Sequence, residues 1–127
     1  MTQGKIIIIV DDDTDLLKRL VIAFEEESYE VKTYSRGTEA IRDLVEKNAL
    51  ASADLVILDR LLPDMDGLEI LKTIEKTHPS HCPVIFLSML SSEKDLIQGL
   101  KEGAIDYVTK PFNLDLLVLK AKRLINK

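Results

Sequence analysis

The chain has 127 residues, 46% of them apolar and 31% charged, with a formal net charge of -5. That length suits a single domain over residues 1–127 with one substantial core, and the composition is globular rather than disordered. The acidic balance argues against direct nucleic-acid binding, no membrane span or signal peptide is expected, and the lone Cys82 fits a reducing cytoplasm.

Five short apolar runs alternate with helical patterns. Ile6–Val10 is continuously apolar, as expected of a strand buried on both faces of a parallel sheet. Leu16, Leu17, Leu20 and Phe24 then recur at helical spacing behind Asp13 or Thr14 as the cap. Residues 29–34 alternate as a second, more exposed strand, and Ala40, Ile41, Leu44 and Val45 form the next helical stripe. EKNALASA, residues 46–53, reads as a somewhat long loop. The third strand is DLVIL, residues 54–58, and Leu68, Leu71 and Ile74 mark a helix that begins near Gly67. VIFL, residues 84–87, is the fourth strand. A fourth helix follows through Leu96, Ile97 and Leu100 and stops at Gly103. Residues 107–109 form a short fifth strand, and Asn113 caps a last helix from Leu114 to about Ile125. Strands alternating with helices at this spacing predict an α/β fold, a parallel sheet with right-handed crossovers and helices on both faces.

The carboxylates stand where such sheets bind ligands, at the carboxyl ends of strands. The first strand runs into Asp11, Asp12 and Asp13, the third ends at Asp59, the fourth at Ser88 and the fifth at Lys110. Under the strand order 2-1-3-4-5, the first and third strands lie side by side, roughly 5 Å apart, and Asp12 faces Asp59. Carboxylates that close raise one another's pKa unless a cation intervenes. Magnesium suits them, being a hard cation that takes one or two carboxylates together with water and phosphate oxygens. A carboxylate is also a nucleophile toward phosphorus, and Lys110 and Ser88 supply a point charge and a hydrogen-bond donor for the transferring group.

The pieces IIIIVDDD, DLVILDRLLPDMDGLEIL, PVIFLS and GAIDYVTKPF resemble, in order and spacing, the receiver domain of two-component response regulators. The resemblance covers essentially the whole chain. It implies a doubly wound, flavodoxin-like (βα)5 fold with a five-stranded parallel sheet in the order 2-1-3-4-5. It further implies that Asp59 accepts a phosphoryl group from a phosphohistidine on a sensor histidine kinase or phosphotransfer protein. Mg2+ (or Mn2+) would be held by Asp11, Asp12, Asp59 and the backbone carbonyl of Leu61. Ser88 corresponds to the switch hydroxyl, Lys110 to the phosphate-pairing lysine and Tyr107 to the switch aromatic. Lys110-Pro111 corresponds to a bond that is cis in the family. The surface of the fourth helix, fifth strand and fifth helix would be read by a downstream protein or output domain, or would form a homodimer. Such a protein is a self-modifying switch rather than an enzyme with an external substrate.

Some residues depart from the commoner receiver pattern or carry simpler readings. Met89 stands where a small residue usually follows the switch hydroxyl, and its bulk is expected to narrow access to the phosphate or hinder Tyr107. Ile105 replaces the first Asp of the GADDY often seen in receivers that dimerise, while Asp106 and Lys120 remain as a pair. Asp13 reads as a helix cap, and Asp64 and Asp66 as turn formers closed by Gly67. His78, His81 and Cys82 offer three candidate zinc ligands where four are usual.

Two rival readings bear on the same acids. Haloacid-dehalogenase-type phosphatases carry D-x-D-x-T after an apolar strand; Asp11 and Asp13 match, but Asp15 stands where Thr or Val is expected. In that reading Asp11 is the nucleophile and Asp59 has no special role. The other rival keeps the fold without the chemistry, and would bind neither phosphoryl group nor magnesium.

Leu61 and Leu90 occupy the variable positions two beyond Asp59 and two beyond Ser88, and neither can orient an attacking water. Loss of a phosphoryl group from Asp59 is therefore expected to be slow. Leu61→Asn should speed it severalfold, measured as decay of the phosphorylated mass; an unchanged rate would contradict the assignment.

Overall fold

A computed structural model of the chain describes residues 4–126. It contains strands β1 (Ile6–Val10), β2 (Glu30–Tyr34), β3 (Leu55–Leu58), β4 (Val84–Ser88) and β5 (Asp106–Thr109). The helices are α1 (Thr14–Glu25), α2 (Gly37–Ile41), α3 (Gly67–Thr77), α4 (Glu93–Lys101) and α5 (Leu114–Ile125). All strand pairs are parallel, in the order β2-β1-β3-β4-β5. This is the doubly wound (βα)5 arrangement expected from the sequence.

The continuous apolar strands are explained by cover on both faces. Ile7, Ile9, Leu55, Ile57, Ile85 and Leu87 pack with Leu16, Leu20 and Phe24 of α1 and with Leu117 and Ala121 of α5. Their neighbours Ile8, Val10, Val56, Leu58, Val84 and Phe86 face Ala40, Leu44, Leu68, Leu71 and Ile74 on the other side. Because side chains alternate along a strand, a one-residue slip would exchange the two cores. Edge strand β2 has no fully buried residue, which explains its alternating polar sequence.

Four helix starts carry the caps that polar side chains supply. Asp13, Asp66 and Asn113 accept from Leu16, Leu68 and Leu116, and Ser92 with Asp95 forms a capping box at α4. The start of α2 is different. Arg36 provides no side-chain cap; instead Asp64, in the turn after β3, accepts from Gly37 N at 2.8 Å and Thr38 N at 2.9 Å.

The chain departs from its sequence pattern in two places. The second helical stripe is a short α2 that widens into a π-helical turn, Arg42–Glu46. The expected loop at 46–53 contains a 3-10 turn, Ala49–Ser52, which forms because Leu50 must be buried against the sheet. In α4 the expected apolar stripe is not the buried face. Leu96 is half-buried and Ile97 and Leu100 are exposed, while Gly99 is the buried residue. A Cβ on Gly99 would lie 2.9 Å from the Tyr107 ring and 3.0 Å from that of Phe86, so α4 rests directly on two aromatic rings.

The two amide hydrogen bonds hold the Asp64 carboxyl down at about 2, against an ordinary value of 3.8. A depressed carboxylate adds stability that is present above the unfolded value and lost as pH falls through the folded one. Thermal melts of wild type and Asp64→Asn should therefore differ near pH 6 and draw together as pH falls toward about 2. A constant gap would mean that the carboxylate charge contributes nothing.

Candidate functional site

Strand register alone brings the acids together. Val10 pairs with Leu58 across β1 and β3, and the ladder continues one step further as Asp59 N donates to Val10 O at 2.9 Å. Asp11 N donates to Tyr34 O at 3.0 Å on the other side. Asp11 and Asp59 therefore leave neighbouring strands at the same level. Lys110 reaches them from the end of β5, where its N–H donates to Ser88 O at 2.9 Å. Its Nζ donates to Asp11 Oδ2 at 2.7 Å and to Asp59 Oδ2 at 3.0 Å. The Lys110–Pro111 peptide is cis.

The remaining oxygens are held by backbone amides. Asp13 N donates to Asp11 Oδ1 at 3.0 Å, and Leu61 N donates to Asp59 Oδ1 at 3.0 Å. Asp11 and Asp59 are buried, whereas Asp12 is exposed at the rim. Ligand atoms of Asp11, Asp12 and Asp59 all lie within 4.8 Å of one another. Gly67 closes the turn beneath Asp59: its N–H donates to Arg60 O at 2.8 Å, and a Cβ there would stand 2.0 Å from Asp59 O.

Ser88 is buried at the end of β4, with Oγ accepting from Leu90 N at 3.2 Å. Tyr107 lies inward, its hydroxyl donating to Leu90 O at 2.6 Å and its ring 5.5 Å from that of Phe86. Met89, which follows Ser88, is 69% exposed.

The family model for the response regulator receiver domain matches residues 7–122. This chain belongs to that family. Curated relatives include the regulatory protein VanRc of Enterococcus gallinarum, 41% identical over 84% of this chain and 44% of the relative. The nisin biosynthesis regulatory protein NisR of Lactococcus lactis is 37% identical over 95% of this chain and 50% of its own length. The receiver thus spans about half the length of these relatives. Among solved structures, the receiver domain of the Francisella response regulator 1452 superposes with TM-score 0.86 at 33% identity, over 96% of this chain and 97% of that one. The BeF3-activated DrrB receiver domain matches equally well, TM-score 0.86 at 34% identity, over 98% and 100% of the two chains.

The donor set fits the divalent cation that receivers bind in an acidic pocket. All the candidate side-chain ligands are carboxylate oxygens, the hard donors Mg2+ prefers, and two of them are already fixed by amides. Burial pushes the Asp11 carboxyl above its ordinary value, opposed by its hydrogen bond to Lys110. Lys110 is half-buried, which lowers its pKa, yet its bonds to Asp11 and Asp59 hold it above the usual lysine value. Among the described residues no other cluster of this kind occurs. The ring nitrogens of His81 are engaged by the Cys82 carbonyl and by Glu75, which leaves the HPSHCP loop without a zinc geometry.

One residue at this end of the sheet was not singled out from the sequence. Arg60 follows Asp59, is 4% exposed, and pairs bidentately with Asp66 through Nε at 3.3 Å and Nη2 at 3.2 Å. The available signal was its even spacing from Val56 and Leu58, which aims it at the same core face; its partners on α4 were out of view.

Two buried carboxylates that share a single ammonium leave one charge uncompensated, which works against folding. Asp11→Asn should stabilise the metal-free receiver by about 1 kcal/mol, seen as a higher melting temperature. Millimolar Mg2+ should raise the melting temperature of wild type and leave the variant unmoved. An equal response in both proteins would remove Asp11 from the cation site.

Proposed function

We propose that the receiver is the phosphoacceptor switch of a two-component phosphorelay and that Asp59 is the residue phosphorylated. The observation that carries this reading is the convergence of Asp59, Asp11 and Lys110, with both carboxylates bonded to one ammonium at the carboxyl end of the sheet. The donor is a phosphohistidine on a sensor histidine kinase or phosphotransfer protein. An Asp59 carboxylate oxygen attacks phosphorus as the P–N bond breaks, and the imidazole leaves with the electron pair and takes up a proton.

Asp11, Asp12, Asp59 and the Leu61 carbonyl would hold Mg2+ (or Mn2+), which when bound supplies positive charge to the transferring oxygens. Lys110 exchanges a carboxylate partner for a phosphoryl oxygen, and the Ser88 hydroxyl turns to donate to another. Leu61 is half-exposed and apolar, so no side chain at that position orients a hydrolytic water. Dephosphorylation by the protein itself is accordingly slow. The chemistry is self-modification, with residues 1–127 acting as one receiver unit in the cytoplasm.

Phosphorylation adds about two negative charges and strong acceptor oxygens. Movement of Ser88 toward them shifts the loop that carries Leu90 O, the acceptor of the Tyr107 hydroxyl. The output is a population shift between two packings of α4, β5 and α5. That face exposes Ile97, Leu100, Ile105, Leu116 and Leu119, an apolar surface suited to a downstream protein, an output domain or a second copy. Asp106 and Lys120 on it pair with each other at 2.7 Å.

Intact mass after incubation with acetyl phosphate tests the reading directly. Wild type should gain one phosphoryl group only with Mg2+, and Asp59→Asn should gain none. A gain that survives in Asp59→Asn but vanishes in Asp11→Asn would move the nucleophile to Asp11 and favour phosphatase-type chemistry. No gain in any protein would leave the fold without the reaction.

A further inference from the structure

Arg60 links the Asp59 turn, the start of α3 and α4. Its backbone carries on from Asp59, and its carbonyl is fixed by Gly67 N at 2.8 Å. Its guanidinium grips Asp66, the cap of α3, with two nitrogens, so the turn after β3 and the guanidinium move as one body. The same group reaches α4, where Nη2 donates to Gln98 Oε1 at 3.2 Å and Nη1 to Asp95 O at 3.5 Å, with Asp95 Oδ1 at 3.9 Å. Burial pushes the Tyr107 hydroxyl up in pKa, opposed by the nearby Arg60 charge.

These links are important for α4 because its apolar anchorage is slight, with Leu96 only half-buried against the core. Helix α3 buries Leu68, Ile70, Leu71 and Ile74, each removing a large apolar side chain from water. The buried residue of α4 is Gly99, which has no side chain to contribute, and Ile97 and Leu100 face solvent. The helix rests on the Tyr107 and Phe86 rings and is tied down at its first two turns by a guanidinium that belongs to the Asp59 turn.

We propose that Arg60 is a positioning residue that tethers α4 to the Asp59 turn, so that a change at Asp59 is transmitted to the α4 surface. The proposal rests on Asp59 being the phosphoacceptor. Arg60 touches neither phosphoryl group nor cation; it acts through the helix it holds.

Arg60→Met keeps the buried aliphatic stem and removes the donors. Asp66 and Asp95 are left partly exposed to water, with side-chain accessibilities of 44% and 26%, so both carboxylates can hydrate. Beryllofluoride with Mg2+ serves as the probe, its uptake followed by fluorine NMR and the amides of residues 93–101 by hydrogen exchange. In wild type the probe should change α4 exchange. In Arg60→Met, α4 exchange should be about tenfold faster without the probe, as expected for losing charge-assisted bonds. Uptake should stay within about twofold of wild type, and the probe should no longer alter α4.

Gln98→Ala, which removes a solvent-exposed partner of the tether, should move in the same direction by about threefold; it carries the test if Arg60→Met does not fold. Wild-type α4 exchange and probe response in the variants would overturn the proposal. Failure of wild type to take up beryllofluoride would instead count against Asp59 as the phosphoacceptor, and the probe-free exchange rates would still decide whether Arg60 tethers α4.

Discussion

The site depends on one ammonium placed between two buried carboxylates. Asp11 and Asp59 leave adjacent parallel strands at the same level, and without an intervening positive charge their repulsion would be felt in a medium much less polar than water. Lys110 supplies that charge from a strand two places away in the sheet, 2.7 and 3.0 Å from the two acids. The turns around it follow from the same need. Amides of Asp13 and Leu61 take the other carboxylate oxygens, and Gly67 lets α3 begin against the backbone of Asp59, where no side chain fits.

The arrangement is satisfied but not tight. Two carboxylates share one lysine, Asp12 stands at the rim, and Ser88 keeps a hydroxyl directed at a neighbouring amide rather than at either acid. A further cation would balance the carboxylate charge that one ammonium leaves uncompensated. Among the described residues no buried side-chain nitrogen or oxygen lacks a partner. Under the proposed switch, rearrangement of the site would be an exchange of hydrogen bonds.

The opposite ends of the helices differ in how they are held. Helices α1, α3 and α5 are fastened by rows of buried leucine and isoleucine and have little freedom to move. Helix α4 is fastened by a glycine against two rings, by the half-buried Leu96 and by polar bonds to Arg60. Polar bonds to a charged group can be exchanged for water at modest cost, whereas apolar burial cannot. The α4 surface, proposed above as the output, thus lies where apolar anchorage is least.

The sequence by itself determined the alternation of five strands and five helices, because periods of burial on strands and helices are local properties of the chain. It also placed Asp11, Asp12, Asp59, Ser88 and Lys110 at strand ends, since each directly follows an apolar run. The caps Asp13 and Asn113 were legible for the same reason: a cap acts on amides two or three residues away. Tertiary structure decided whatever depends on partners distant in sequence. It set the strand register that aligns Asp11 with Asp59, and made Asp64 the cap of a helix 26 and 27 residues earlier. It turned Met89 outward, and it buried Gly99 rather than Ile97 and Leu100 because the Phe86 and Tyr107 rings already fill that side of the sheet. Arg60 shows the limit most clearly. A charged residue after a buried strand looks like the start of a solvated loop, and only the approach of α4 and Asp66 makes its burial possible.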